Sequence, residues 1–377
     1  MQKKLIAVAV ASALAVPAMA FADTTVYGVL DAGYAQTKGE TGGAGGGTYE
    51  LDAIGFSTMT SSRLGVMNTE DLGGGTKIMT KIETGISGNV MGFFTQGSTT
   101  DGTTIDNTKL GSRELNTTLM FDQGTSVKFG FGSTLIRDTS LGYAPEPGGN
   151  LVGNILNNNS DFSGNRAAGI TVTQALDKAS VAAQMTVHTT KLSGNVDNKS
   201  GNGWLVGGQY ADGPISVGAA YQSQNTVTGS TVASSDMTRK VFVLGGSYDF
   251  GVAKVIAEYG SSKHDESVSG INVEGSGFSV GAQAPFGDIL GFVQVSHGTY
   301  KDGLGNGDQT LSGYTVGGKY NLSKASYGYL SIGQNKVGDN SVVPEYKVRT
   351  RNSPTFISSR SRSTRTPSRS GWTTSAW

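Results

Sequence analysis

The links between the two-faced segments of this chain alternate between short and long. Tight links carrying Gly, Asp or Pro fall at 70–75, 122–124, 174–178, 211–214, 250–251, 285–288 and 322–325. Long polar links fall between them, at 36–57, 87–110, 188–203, 224–238 and 261–273. The short links have the residues of hairpin turns. Strict alternation therefore means antiparallel neighbours, with all tight turns at one end and all long loops at the other. A barrel that crosses a membrane with its strands has this asymmetry. A soluble β-sandwich has no reason to segregate its loops.

The segments themselves read as fifteen short strands, at 24–34, 62–69, 76–86, 113–121, 125–132, 166–173, 179–187, 204–210, 215–223, 240–250, 252–260, 275–284, 289–300, 311–321 and 326–335. No helical period is expected anywhere. The hairpin at 61–85 shows the pattern most clearly. In its second arm Ile78, Ile82 and Ile86 share one parity, and Lys77, Lys81 and Glu83 share the other. Successive side chains point to opposite faces of a strand, so one face is apolar and the other charged. The same split recurs where Leu115, Leu119 and Phe121 oppose Glu114, Asn116 and Thr118, and where Val127, Phe129 and Phe131 oppose Lys128. A lipid-facing Lys or Arg costs roughly 2–4 kcal/mol at the bilayer midplane. The charged parity therefore faces a watery lumen.

The two ends differ from this body. Lys3 and Lys4 precede an apolar run from Leu5 to Val16, and small residues follow up to Ala22. That is the layout of a cleaved secretory signal over 1–22. The barrel is assigned to 23–345. Residues 346–377 contain no Asp or Glu but seven Lys and Arg among Ser and Thr. No ten-residue alternation appears from Val342 onward. The acid-free tail reads as a reading-frame shift near 335–350. The rival is a natural extension that forces a poor strand at 341–355. Bacterial barrels of this kind carry even strand numbers, so a sixteenth strand is owed.

Several chemistries are set aside. The chain has no Cys, and its three histidines, His188, His264 and His297, are widely separated. No cofactor, metal or catalytic constellation is expected, and an exported protein gives the basic tail no nucleic acid to meet.

Two stretches carry a family resemblance: Thr25-Val26-Tyr27-Gly28-Val29-Leu30-Asp31, and Ser61-Ser62-Arg63-Leu64-Gly65 with Glu70-Asp71-Leu72-Gly73-Gly74-Gly75. With the strand series they make the chain resemble the Gram-negative general porins, most closely the beta-proteobacterial type. The resemblance implies an all-β, sixteen-stranded transmembrane antiparallel barrel in the outer membrane. It implies a homotrimer set in outer-membrane lipid and lipopolysaccharide, inserted by the barrel-assembly machinery. Its function would be passive diffusion of small hydrophilic solutes and ions, with no enzyme activity. A surface adhesin or receptor, binding host or phage through the long loops, is the alternative.

The resemblance also implies that the loop after the fifth strand, at 133–165, folds into the lumen and narrows it. Parity puts Arg63, Lys77, Lys81 and Lys128 on the wall at that level, with Asp31 and Glu83 also facing inward. The loop brings Arg137, Asp138 and Glu146. The body of the chain is net −9, with 20 basic and 29 acidic residues between the signal and the tail. Screening over about 8 Å at physiological salt lets the local basic wall outweigh distant loop acids, giving weak anion selectivity. N-terminal sequencing of the exported protein is expected to begin Asp23-Thr24-Thr25; a chain beginning at Met1 would overturn the cleaved-signal reading.

Overall fold

The computed structural model describes residues 23–41, 46–56, 60–86, 110–145, 153–157, 162, 164–187, 190–192, 196–198, 201–228, 235–266, 272–301, 308–338, 346–359 and 362–363. The chain opens with β1 (Asp23–Thr41), β2 (Thr48–Phe56), β3 (Arg63–Gly73) and β4 (Thr76–Gly85). β5 (Glu114–Met120) and β6 (Thr125–Ser133) lead into α1 (Leu135–Gly142). β7 (Arg166–Ala175) and β8 (Ala179–Thr186) precede a small separate pair, β9 (Thr190–Leu192) with β10 (Val196–Asn198). There follow β11 (Gly203–Asp212), β12 (Ile215–Thr228), β13 (Ser235–Asp249), β14 (Lys254–Glu266) and β15 (Asn272–Phe286). The last are β16 (Ile289–Lys301), β17 (Asp308–Asn321), β18 (Ser326–Val337), β19 (Tyr346–Ser359) and β20 (Arg362–Ser363).

Consecutive long strands pair antiparallel from β3 through β8, and again from β11 through β19, with β8 joined to β11. β1 pairs with β3 on one side and β19 on the other. Sixteen strands thus follow one another back to the first. All fifteen expected strands are present in this sheet.

The side chains are distributed inside out relative to a soluble protein. Solvent-accessible positions are apolar: Leu64, Val66, Leu115, Val172, Val206, Val280, Val295 and Ile332 are all exposed. Their alternates on the inner face are polar and buried, among them Thr171, Gln184, Gln222, Gln294, Thr315 and Ser331. Exposed Tyr210, Tyr248, Phe250, Phe286 and Tyr320 cluster by the tight turns, as an interfacial aromatic girdle does. At the β3–β4 turn, Gly73, Gly74 and Gly75 have φ of 81°, 60° and 77°, which only glycine adopts in series without strain.

The structure corrects the sequence reading at three places. The link expected at 36–57 contains β2, which folds back on the upper half of β1. A helix, α1, occurs where no helical segment was expected. And β19 occupies the sixteenth place although its sequence lacks alternation: Ser358 pairs with Leu30 of β1 and with Ser326 of β18. The physical reason is that two unpaired strand edges in hydrocarbon each demand a partner for every N–H and C=O. That demand outweighs a weak local preference for strand. Residues 1–22 and 364–377 lie outside the described residues.

Deleting residues 346–377 is expected to abolish the compact, heat-modifiable band of the folded barrel on unboiled gels and to remove the protein from outer-membrane fractions. A truncated chain that still migrates as a folded barrel would show that β19 is dispensable for closure.

Candidate channel constriction

The loop leaves β6 at Ser133 and re-enters the sheet at Arg166. Its two ends are tied where Thr134 donates from both its N–H and its Oγ1 to the Asn165 carbonyl, at 3.1 and 2.8 Å. Thr134 also caps α1, its Oγ1 accepting from the Arg137 N–H at 3.4 Å. Asp138 in the first turn suits the positive end of the helix. Ile136 and Ser140, four residues apart, lie on the buried side of α1.

From there the loop lies flat on the inner wall. Ile136 packs with Leu205, Ala220, Val241 and Val243 of β11, β12 and β13. These are among the few apolar residues on the inner face, and they occur where the loop covers them. The Tyr143 hydroxyl meets Ser216 Oγ at 3.1 Å. Farther round, the Gly153 N–H donates to Thr315 Oγ1 at 2.7 Å and the Ile155 N–H to Ser296 Oγ at 3.2 Å. Leu156 and Phe162 complete a second apolar cluster with Ile155 and Leu311.

At several contact points under the loop the wall carries glycine. A Cβ at Gly245 would collide with the Tyr143 ring, and one at Gly281 would stand 2.6 Å from Pro145. At Gly298 it would meet Ile155 at 3.1 Å, and at Gly275 it would meet Phe162 at the same distance. The loop therefore occupies the layer that wall side chains fill elsewhere. Its described residues touch the arc from β11 to β17 and none of them lies on the arc of β3 to β5.

A cluster of charge lies on the arc of β3 to β7, apart from the buried Arg239 and Glu258 of β13 and β14. Glu83, buried and inward, is the hub. Its carboxylate accepts from Arg113 Nε at 2.6 Å and from the Tyr27 hydroxyl at 2.7 Å. Arg63 Nε and Lys81 Nζ stand 3.8 and 3.9 Å away. Lys81 also sits 5.9 Å from the centre of the Tyr27 ring. Beside this hub, Glu114 accepts from Asn116 Nδ2 at 2.7 Å and from the Ser133 N–H at 3.2 Å, at the root of the loop. Arg166 lies within electrostatic reach of Arg113, Arg137, Glu114 and Glu83, and Asp138 within reach of Lys128, Glu114 and Arg137.

Of the residues singled out in the sequence, Arg63, Lys81, Glu83, Lys128, Arg137 and Asp138 are brought to one region. Lys77 is not, because it is the second residue after the β3–β4 turn. Four residues of strand, about 13 Å, separate it from Lys81. Asp31 departs from the pore-lining expectation. It faces inward but is wholly inaccessible: Tyr329 and the Thr60 N–H donate to its carboxylate at 2.9 and 2.6 Å, and Ser62 Oγ binds its backbone. It fastens the base of the first long loop to β1 and β18. Glu146 lies outside the described residues. Arg113 and Arg166 were not found from sequence. Simple parity puts Arg113 with Leu115 and Arg166 with Ile170, on the lipid side. Arg113 immediately precedes β5 and Arg166 is the first residue of β7, positions where the alternation does not fix the side chain.

A strand ring with an apolar exterior, a polar interior and a loop laid inside it is a transmembrane diffusion-channel barrel. The Gram-negative porin family pattern matches residues 7–340. The chain is 30% identical over 352 residues to outer membrane porin protein 32 of Delftia acidovorans, covering 89% of this chain and 90% of that one. The anion-selective porin from Comamonas acidovorans has the same fold, with a TM-score of 0.68 at 21% identity over 90% of this chain and 100% of that one. OmpT of Vibrio cholerae, in its trimer form, gives 0.63 at 13% identity over 90% and 99%. The chain belongs to the Gram-negative porin family; it is an outer-membrane porin, and its relatives are channel proteins.

Glu83→Gln removes the one carboxylate shared by Arg63, Lys81 and Arg113. It is expected to lower stability by about 2 kcal/mol, the scale of a hydrogen bond to a charged partner. It should also increase anion preference, because three cations lose their counter-charge. Urea unfolding in detergent micelles and reversal potentials check the two effects separately.

Proposed function

We propose that this porin is a weakly anion-selective channel whose constriction lies between the basic arc of β3–β7 and the loop carrying α1. The observation that supports it is the local excess of positive charge. Arg63, Lys81, Arg113, Lys128, Arg137 and Arg166 face Glu83, Glu114 and Asp138 across the same region. Ionised groups that line a wet pore interact most strongly with what passes within a Debye length, about 8 Å. A passing anion therefore meets six cations and three carboxylates, and Glu83 is already committed to its own partners. Opposed charges across a narrow lumen also orient dipolar solutes, which favours small hydrophilic solutes over apolar ones of the same size.

We further propose a homotrimer, with the mature chain beginning at Asp23 and the barrel-assembly machinery inserting it among the lipopolysaccharide and phospholipid of the outer membrane. The trimer form of the Vibrio cholerae porin, which shares the fold, supports the assembly state.

In planar bilayers under a tenfold KCl gradient, purified protein is expected to show stepwise conductance with a reversal potential of anion sign. Replacing Lys81, Arg113 and Lys128 by Gln together should bring that potential to zero or reverse it. A cation-sign potential in the unmodified protein would overturn the proposal, and absence of stepwise conductance would favour the adhesin reading.

A further inference from the structure

From the Glu83 hub down to the tight-turn mouth, the inner wall sets cations beside tyrosines. Tyr27 and Val29 share the inner face of β1, and Arg63 of β3 stands opposite Val29. On the far side of β19, Tyr327 and Tyr329 share the inner face of β18, and Lys319 of β17 stands opposite Tyr329. Lys319 Nζ lies 4.5 Å from the centre of the Tyr327 ring, and Lys81 Nζ lies 5.9 Å from that of Tyr27. Arg63 is within electrostatic reach of both tyrosines.

The rings are seated on the wall. Tyr27 lies across β3, where a Cβ at Gly65 would collide with its ring, and its hydroxyl donates to Glu83 at 2.7 Å. Tyr327 leans on Tyr329, with ring centres 6.5 Å apart and planes tilted by 45°. Together with Val29 it packs on the buried pair Tyr329 and Phe292. Phe292 in turn lies over Gly317, where a Cβ would collide with it. Tyr27, Tyr327 and the three cations are only half-buried. What stays uncovered belongs to the lumen, since the opposite face of their strands carries the exposed, lipid-facing Val26, Leu64 and Leu330.

A wall that only passes chloride needs cations and no aromatic surface. Closing the packing at this end of the barrel needs a buried aromatic floor, and Phe292 with Tyr329 supplies it. A half-exposed tyrosine with an ammonium beside it adds something else. It offers a π-face for offset stacking and, next to it, a charge for a carboxylate. A flat anion built on one aromatic ring uses both features. An aliphatic anion uses only the charge.

We propose that this part of the lumen wall is a binding site for monocyclic aromatic carboxylates passing through the channel. The carboxylate pairs with Lys319 and the ring stacks on Tyr327, with Arg63 adding to the local positive field. Tyr27 and Lys81 form a lesser position nearer the hub, because that ammonium is farther from its ring and the Tyr27 hydroxyl is committed to Glu83. The inference deepens the anion-channel reading and rests on it, naming the class of anion that the wall retains.

Single channels of the purified protein in KCl at neutral pH, titrated with benzoate or with cyclohexanecarboxylate, test it. Both acids are ionised there and close in size, and the saturated ring is the more hydrophobic, so charge, bulk and plain apolarity give benzoate no advantage. Benzoate is expected to block the chloride current at a roughly three- to tenfold lower concentration, the scale of one aromatic contact. Tyr327→Leu, which keeps an apolar side chain and removes the ring, should remove most of that difference. Lys319→Gln should weaken block by both acids. The unmodified protein decides the matter even if a variant does not fold: equal block by the two acids, or tighter block by the saturated one, would overturn the proposal. An undiminished benzoate preference in folded Tyr327→Leu would overturn it too. The reversal potential in a KCl gradient is read on the same channels. Cation sign would remove the anion-channel reading and this site with it, whereas anion sign with equal block removes this site alone.

Discussion

Hydrocarbon offers no hydrogen bonds, so every backbone N–H and C=O that crosses it must find a partner within the protein. The rest of the architecture follows from that requirement. A sheet that satisfies it has no free edge, which is why β1 pairs with both β3 and β19. It also explains how β19 can be a strand at all. Its sequence has no apolar alternation, and in water it would have little reason to be extended. Between β18 and β1 it has two edges to satisfy, and the register follows theirs, with an irregularity opposite Ala32–Ala35.

Once the ring exists, the two faces divide by solvent. The exterior must be apolar, and the interior is free to be polar because water fills it. The loop breaks this rule locally and consistently. Where it covers the wall, Leu205, Val241 and Val243 replace polar residues, and a small hydrophobic core forms inside the barrel. On the arc of β3 to β7 a cluster of charges stands instead. Glu83 is surrounded there by Arg113, Arg63, Lys81 and the Tyr27 hydroxyl.

Fifteen strands, their turns and their faces were legible in the sequence because alternation and turn residues are local signals. What was not legible depended on contacts distant in the chain. β19 is specified by its neighbours' edges. The helix α1 is eight residues long, too short for a helical period to show, and its stability comes from Thr134 and from the wall beneath Ile136. Within the site, parity placed Arg63, Lys81, Glu83 and Lys128 on the inner side. It failed for Arg113, just before β5, and for Arg166, the first residue of β7. It also placed Asp31 inward without showing that Tyr329, 298 positions away, would seal it.

The glycines beneath the loop have a consequence for how such a channel can change over evolutionary time. Because the loop lies over the wall from β11 to β17, seated on glycines at several points, the pore surface there is written by one contiguous segment. The opposite arc is written by residues scattered over five strands. Edits to calibre and chemistry on the covered side can therefore accumulate in a single exon-sized stretch, with the load on barrel assembly left almost constant. The limit is set by the seat: a bulkier loop has no more wall to displace, so further narrowing has to come out of the lumen itself.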